Sequence, residues 1–131
     1  MERFRILVVD DELLIRDLLY DFFIAEDWDI VVAENGQKAI DYLKNQKFDL
    51  VLTDIRMPDV SGLDLTDRIR ALYGDLPIVI MTGYPSLETA VSALRHKVDD
   101  YIIKPFNINQ LYRTIKKTVE DRRQAAEVGT G

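Results

Sequence analysis

Three aspartates, a threonine and a lysine are the side chains best equipped for chemistry, and each stands where an apolar run stops. Asp10 and Asp11 follow "FRILVV" (4–9), Asp54 follows "FDLVLT" (48–53), Thr82 follows "LPIVIM" (76–81), and Lys104 closes "DYIIK" (100–104). Three carboxylates gathered in one place cannot all stay ionised without compensation. Either one keeps a proton or a cation sits among them. Hard oxygen ligands suit Mg²⁺, which retains several waters and is usually held by one or two carboxylates where it engages phosphate. Lys104 adds a second positive charge and Thr82 a hydroxyl. The set describes a place for a phosphoryl group, with an aspartate as nucleophile.

The elements that must position these residues are legible as periodicity. A fifth apolar run, "WDIVVA" (28–33), completes a set rich in valine and isoleucine, each near strand length. Several are apolar at successive positions, as in a parallel sheet covered on both faces. Between the runs, apolar residues recur at helical spacing. The expected stripes are Leu14, Leu18, Leu19, Phe22 and Phe23 in 12–26, and Ala39, Ile40 and Leu43 in 36–46. Leu65, Ile69 and Leu72 follow in 62–73, Leu87, Val91 and Leu94 in 87–96, and Ile108, Leu111, Ile115 and Val119 in 108–120. Asn35, Ser86 and Asn107 can cap the helices they precede, and Gln110 makes a capping-box-like pair with Asn107. The alternation predicts an α/β fold, (βα)5: a five-stranded parallel sheet with right-handed crossovers and helices on both faces. All carboxyl ends of such a sheet share one edge, where ligands bind, so residues from 10 to 104 should converge there.

Composition narrows the function. With 131 residues and 47% hydrophobic content, the chain fits one domain with a single core. The first twelve residues lack the pattern of a signal peptide, and no apolar run reaches the length of a membrane span, so a soluble cytoplasmic protein is expected. The absence of cysteine removes disulfides, thiolate metal sites and cysteine nucleophiles. Seventeen basic and 23 acidic residues leave a net charge of −6. That balance is unsuited to neutralising DNA phosphates, so no nucleic acid is expected to bind this domain itself.

Four stretches carry a specific resemblance: "ILVVDDE" (6–12), "LVLTDIRMPDVSG" (50–62), "IVIMTG" (78–83) and "DYIIKPF" (100–106). In that order and spacing, the chain resembles the receiver domains of two-component response regulators, the CheY-like family, over roughly 4–120. The resemblance implies a flavodoxin-like sheet of order 2-1-3-4-5. It implies that Asp54 is the phosphoacceptor, supplied by a sensor histidine kinase, and that Asp10, Asp11 and Asp54 hold Mg²⁺ together with the backbone carbonyl of Arg56. By the same resemblance Thr82 and Lys104 contact the phosphoryl group, Tyr101 is an aromatic switch residue, and Lys104–Pro105 is a cis peptide. The implied protein is a phosphorylation-activated switch rather than an enzyme on other substrates. It would change its α4-β5-α5 face to control an output and could form a phosphorylation-dependent homodimer. "MTGYPSLETAVSAL" further resembles receivers of nitrogen-regulation-type transcription activators. The receiver is expected over 1–121, with 122–131 as a helix end or linker tail.

The chain departs from the family in having Lys97-Val98 where Gly-Ala is frequent. A left-handed cap there costs a lysine about 1 kcal/mol, or else the helix ends differently. Arg56 and Tyr84 occupy two positions that tune phosphoryl lifetime in the family. The rival reading is an Mg²⁺-dependent phosphatase with an aspartate nucleophile, of haloacid-dehalogenase type. Such enzymes carry an acid two residues after the nucleophile, and here that residue is Arg56. A degenerate scaffold is the third reading, which the intact Asp10, Asp11, Asp54, Thr82 and Lys104 argue against. His96, the one histidine, reads as an exposed helix-end residue, and Met57 as core or loop packing.

Overall fold

The computed structural model describes residues 3–129, with backbone alone for 126–129. The elements are β1 (Arg5–Val9), α1 (Leu13–Ala25), β2 (Asp29–Ala33), α2 (Gly36–Asn45), β3 (Leu50–Asp54), α3 (Gly62–Tyr73), β4 (Ile78–Thr82), α4 (Leu87–Arg95), β5 (Asp100–Ile103) and α5 (Ile108–Gly129). All five strands run parallel in the order β2-β1-β3-β4-β5, the expected flavodoxin-like α/β sheet. Four strands begin later than their apolar runs, β1 and β2 by one residue and β3 and β4 by two. Pro77 has no N–H for a ladder, so β4 starts at Ile78. Before β3, the Asp49 carboxylate accepts the Arg5 N–H at 2.7 Å instead of leaving that donor to a strand.

The alternation of side chains along the strands divides the core into two layers. Ile6, Val8, Leu50, Leu52, Val79 and Met81 face α1 and α5, where Leu19, Phe23, Leu111, Ile115 and Val119 cover them. Leu7, Val9, Val51 and Ile78 face the other way, under Ala39, Ile40 and Leu43 of α2 and Leu65 and Ile69 of α3. Each such side chain contributes about 1.5–3 kcal/mol by leaving water. Among the described residues no helix is long and apolar enough to cross a membrane.

Three of the expected stripes depart from the core in part or whole, that of α3 only at its last residue. In α1, Leu14 and Leu18 are 82% and 48% exposed, while Leu19 and Phe23 are buried and Ile15 and Phe22 pack beside them. The aromatic rings decide this rotation. Phe22 meets Tyr112 at 5.3 Å and Phe23 meets Trp28 at 5.1 Å, and large rings bury more area than the leucines they displace. Leu72 at the end of α3 is likewise exposed. In α4 the expected stripe faces solvent almost whole. Leu87 and Leu94 are exposed, Val91 is at the margin, and Ala93 is the buried residue of the helix. Thus α4 is fastened to the sheet by little apolar burial.

Local chemistry holds α4 together instead. Ser86 and Thr89 form a reciprocal capping box at its start. At its end Lys97 adopts φ 61°, with Lys97 N–H donating to Leu94 O at 3.1 Å and Val98 N–H to Ala93 O at 3.3 Å. This is a Schellman termination, and Lys97 takes the left-handed position in it without a glycine. Asp27 does the same after α1, where Trp28 N–H reaches Phe23 O at 2.9 Å. Asn35 accepts the Lys38 N–H at 2.9 Å, and Asn107 accepts the Asn109 and Gln110 N–H groups at 2.9 and 3.2 Å. Ser61 caps α3 as well.

His96 is not the exposed residue expected. Its Nδ1 lies 2.6 Å from Asp67 Oδ1, which ties the end of α4 to α3. Met57 packs against the α2–α3 layer. Helix α5 passes residue 121 without a break. Arg122 reaches Asp99 at 2.6 Å and Arg123 reaches Asp49 at 3.0 Å, while residues 130–131 of the expected tail lie outside the described chain.

Candidate functional site

β1, β3 and β4 lie side by side, so their carboxyl ends present Asp10, Asp54 and Thr82 along one edge. β5, paired with β4, delivers Lys104 to the same edge, where its N–H donates to Thr82 O at 2.8 Å. The Lys104–Pro105 peptide bond is cis. Carboxylate oxygens of Asp10, Asp11, Glu12 and Asp54 lie within 4.8 Å of one another. Residues 10 and 104 meet because the sheet folds them together.

Lys104 is the cation among the acids. Its Nζ lies 2.7 Å from Asp10 Oδ2, 2.8 Å from Asp54 Oδ2 and 3.2 Å from Glu12 Oε1. Burial draws the ammonium toward its neutral form. The hydrogen bonds and charges of Asp10 and Asp54 outweigh that and hold its pKa above the ordinary lysine value. Asp10 is fully buried, and burial pushes its carboxyl up despite Lys104 and the Glu12 N–H, which donates to Oδ1 at 2.8 Å. Asp54 accepts the Arg56 N–H at 3.3 Å. One ammonium facing four acids leaves excess negative charge. The donors are hard oxygens, so the residues fit a divalent cation such as Mg²⁺.

The other expected site residues surround this group. Arg56 extends outward and stacks on Tyr84, its guanidinium carbon 4.2 Å from the ring centroid. Thr82 is buried, and its Oγ accepts the Tyr84 N–H at 3.0 Å. Tyr101 is half-buried on β5, away from the acids, and its hydroxyl lies 2.9 Å from Thr89 Oγ1 in the α4 capping box. Asp10, Glu12 and Asp54 therefore contact Lys104 directly and Asp11 lies beside them, whereas Thr82 meets Lys104 through its backbone carbonyl and Tyr101 is joined to Thr89 of α4.

Sequence reasoning passed over several contributors. Glu12 joins the acid group, and its place directly after the acid pair was the available signal. Arg16, one turn further along α1, donates to Asp10 O at 2.7 Å. Asp59 fastens the loop after β3 to the start of α2, accepting the N–H groups of Gly36, Gln37 and Val60. Burial alone would raise its pKa, but these donors together hold it below the usual carboxylate range. Gly62 is the fourth: its N–H donates to Ile55 O at 2.7 Å, folding the loop back under Asp54.

Comparison with known proteins places this geometry. A family model described as the response regulator receiver domain matches residues 6–116. The transcriptional regulatory protein ZraR of Escherichia coli (strain K12) is 38% identical over 114 residues, covering 87% of this chain and 26% of that protein. The chain thus spans about a quarter of the length of the curated relatives it matches. A CheY-like receiver domain from Methanospirillum hungatei superposes with a TM-score of 0.90 at 31% identity, covering 94% of this chain and 98% of its own. The response regulator TrrA of Thermotoga maritima, solved with Mg²⁺ and BeF, gives 0.79 at 38% identity, covering 88% and 98%.

Proposed function

The chain belongs to the response regulator receiver domain family, and we propose that Asp54 is its phosphoacceptor, served by Mg²⁺ and by a sensor histidine kinase. The observation that carries this reading is the placement of Lys104, poised between Asp10 and Asp54 at hydrogen-bond distance from both. In the transfer, a carboxylate oxygen of Asp54 bonds to phosphorus as the donor's phosphorus–nitrogen bond breaks, and the imidazole leaves. Mg²⁺ supplies charge neutralisation for the phosphoryl oxygens. Lys104 then has a phosphoryl oxygen to pair with in place of the Asp54 carboxylate. The Thr82 hydroxyl can turn from the Tyr84 N–H toward the new group. Beside the acids, the exposed Leu13, Leu14 and Leu18 offer the donor protein an apolar contact.

Asp10, Asp11 and Asp54 are the metal-holding side chains in this reading, with the Arg56 carbonyl. Because Asp11 is exposed and has no hydrogen-bond role within the fold comparable to Asp10, removing it tests the metal with little disturbance. Asp11→Ala is expected to weaken Mg²⁺ binding about tenfold or more, a loss of at least about 1.4 kcal/mol. Calorimetric titration of both proteins reads this, and equal affinities would move the metal away from Asp11.

The output reading rests on α4. Its apolar stripe is exposed, and so is Ile103 of β5, 52% accessible. As Thr82 shifts toward the phosphoryl group, Tyr101 can turn into the space behind it, giving up its bond to Thr89. That bond anchors the capping box, so the turn would release the start of a helix that has little burial to resist movement. A local charge change then biases a two-state element, with a coupling on the order of 1–3 kcal/mol. The altered α4-β5-α5 face is proposed to pair with a second copy about a two-fold axis. Beryllofluoride with Mg²⁺ is expected to shift the native protein toward dimer in sedimentation velocity, and Thr82→Ala to suppress the shift. A full shift in Thr82→Ala would refute the route through Thr82.

A further inference from the structure

At the end of the sheet opposite the acid cluster lies a second hollow, and we infer that it binds a small amphipathic anion: an aryl or acyl body carrying one acidic head. It is a cleft of about 680 Å³ between the loop after α2, the turn after α3 and the outer part of α5. That volume falls in the range of small-molecule sites, roughly 300–1,000 Å³. Leu43, Phe48, Leu76, Pro77 and Val119 supply an apolar floor. Lys44, Lys47, Arg122 and Arg123 stand around it against a single acid, Asp49. An adjoining hollow of about 550 Å³ shares Lys47, Phe48, Asp49 and Arg123 and adds Arg3 and Arg5 beside Asp29. Six cations thus line the two hollows with Asp29 and Asp49, and Asp27 and Asp99 beside them pair with Arg3 and Arg122, on a chain whose net charge is −6.

Helix C-termini attract basic residues on their own account, and Lys44, in the last turn of α2, answers to that need. Lys47, Arg3 and Arg5 do not, because none of them belongs to the last turn of a helix. The guanidinium groups are already committed. Arg122 holds Asp99 at 2.6 Å and the Asp75 carbonyl, while Arg123 holds Asp49 at 3.0 Å and lies 4.2 Å over the Phe4 ring. Lys44 and Lys47 are exposed and have no ion-pair partner among the described residues. Fixed guanidiniums therefore shape the wall, and two free ammonium groups on one rim supply countercharge. An apolar floor beneath them suits one compact body with a single anionic head, rather than a run of phosphates.

The test uses 1-anilinonaphthalene-8-sulfonate as the probe and N-phenyl-1-naphthylamine as its uncharged counterpart, each titrated into the whole chain and followed by backbone amide NMR. The sulfonate is expected to move amides of 43–49, 73–76 and 119–123, and the uncharged compound to bind about tenfold more weakly. In the double variant Lys44→Glu/Lys47→Glu the sulfonate should lose about tenfold in affinity, while the uncharged compound changes by less than about twofold. That second arm separates lost countercharge from a damaged fold. Sulfonate shifts confined to the exposed leucines of α1 or α4, or an affinity equal in native and double-variant protein, would overturn the assignment.

Discussion

Asp54→Asn is expected to end phosphate incorporation from a small phosphodonor in the presence of Mg²⁺, while the protein stays folded. Asparagine keeps the shape of the side chain at the end of β3 and its place in the loop. It removes the anionic oxygen that must attack phosphorus, and it removes one of the two carboxylates that hold Lys104 at 2.7 and 2.8 Å. Loss of a nucleophile typically costs a thousandfold or more, so the expected fall is at least about a thousandfold. The fold should tolerate the change. Asp54 shares Lys104 with Asp10, so the ammonium keeps a buried partner. Intact-mass spectrometry after exposure to acetyl phosphate reads the result as one added phosphate on native protein and none on the variant. Equal labelling of the two would transfer the acceptor role to another residue.

The second large effect is steric. A Cβ placed on Gly62 would sit 2.2 Å from the Asp54 carbonyl oxygen and 3.0 Å from Ile55 Cα. Both are backbone atoms at the end of a buried strand, so neither can step aside cheaply. Gly62→Ala should therefore destabilise the protein by about 3 kcal/mol, at the upper end of overpacking costs. It should also displace Asp54, and misplacement by about 1 Å can slow transfer about a hundredfold. Gly36 supplies the control. Its Cβ would come 2.1 Å from Val60 Cγ1, a closer approach on paper. That neighbour is a half-buried side-chain methyl that can rotate away, and alanine improves helix propensity at α2 by up to about 1 kcal/mol. Gly36→Ala should stay within about 1 kcal/mol of native stability. Denaturant midpoints with unchanged slopes separate the two cases. A Gly62→Ala protein as stable as the native one would mean the loop has slack beneath Asp54.

The α4 segment shows where periodicity stops being informative. Leu87, Val91 and Leu94 recur at helical spacing, which identifies a helix correctly, yet they point to solvent. A repeat of apolar residues states that one face is apolar. It does not state what covers that face. The same holds for Leu14 and Leu18, whose helix is turned by the ring contacts of Phe22, Phe23, Trp28 and Tyr112. Those contacts join residues from α1 to α5, and no local window contains them.

By itself, the sequence determined the alternation of strands and helices, because runs of valine and isoleucine and helical stripes are local patterns. It determined that Asp10, Asp11, Asp54, Thr82 and Lys104 end strands, and parallel pairing then sends strand ends to one edge. The four family motifs, carried in order, determined the strand order and the family. Tertiary structure alone decided how Lys104 sits, within hydrogen-bond distance of both Asp10 and Asp54, with 94 residues between it and Asp10 in the chain. It alone decided that Tyr101 is tied to the α4 cap, that His96 pairs with Asp67, and that Gly62 is required by a backbone passing beneath it. Each of these is a contact between distant segments whose strength depends on distance and on the water excluded around it. Those quantities come into being only when the sheet closes its layers.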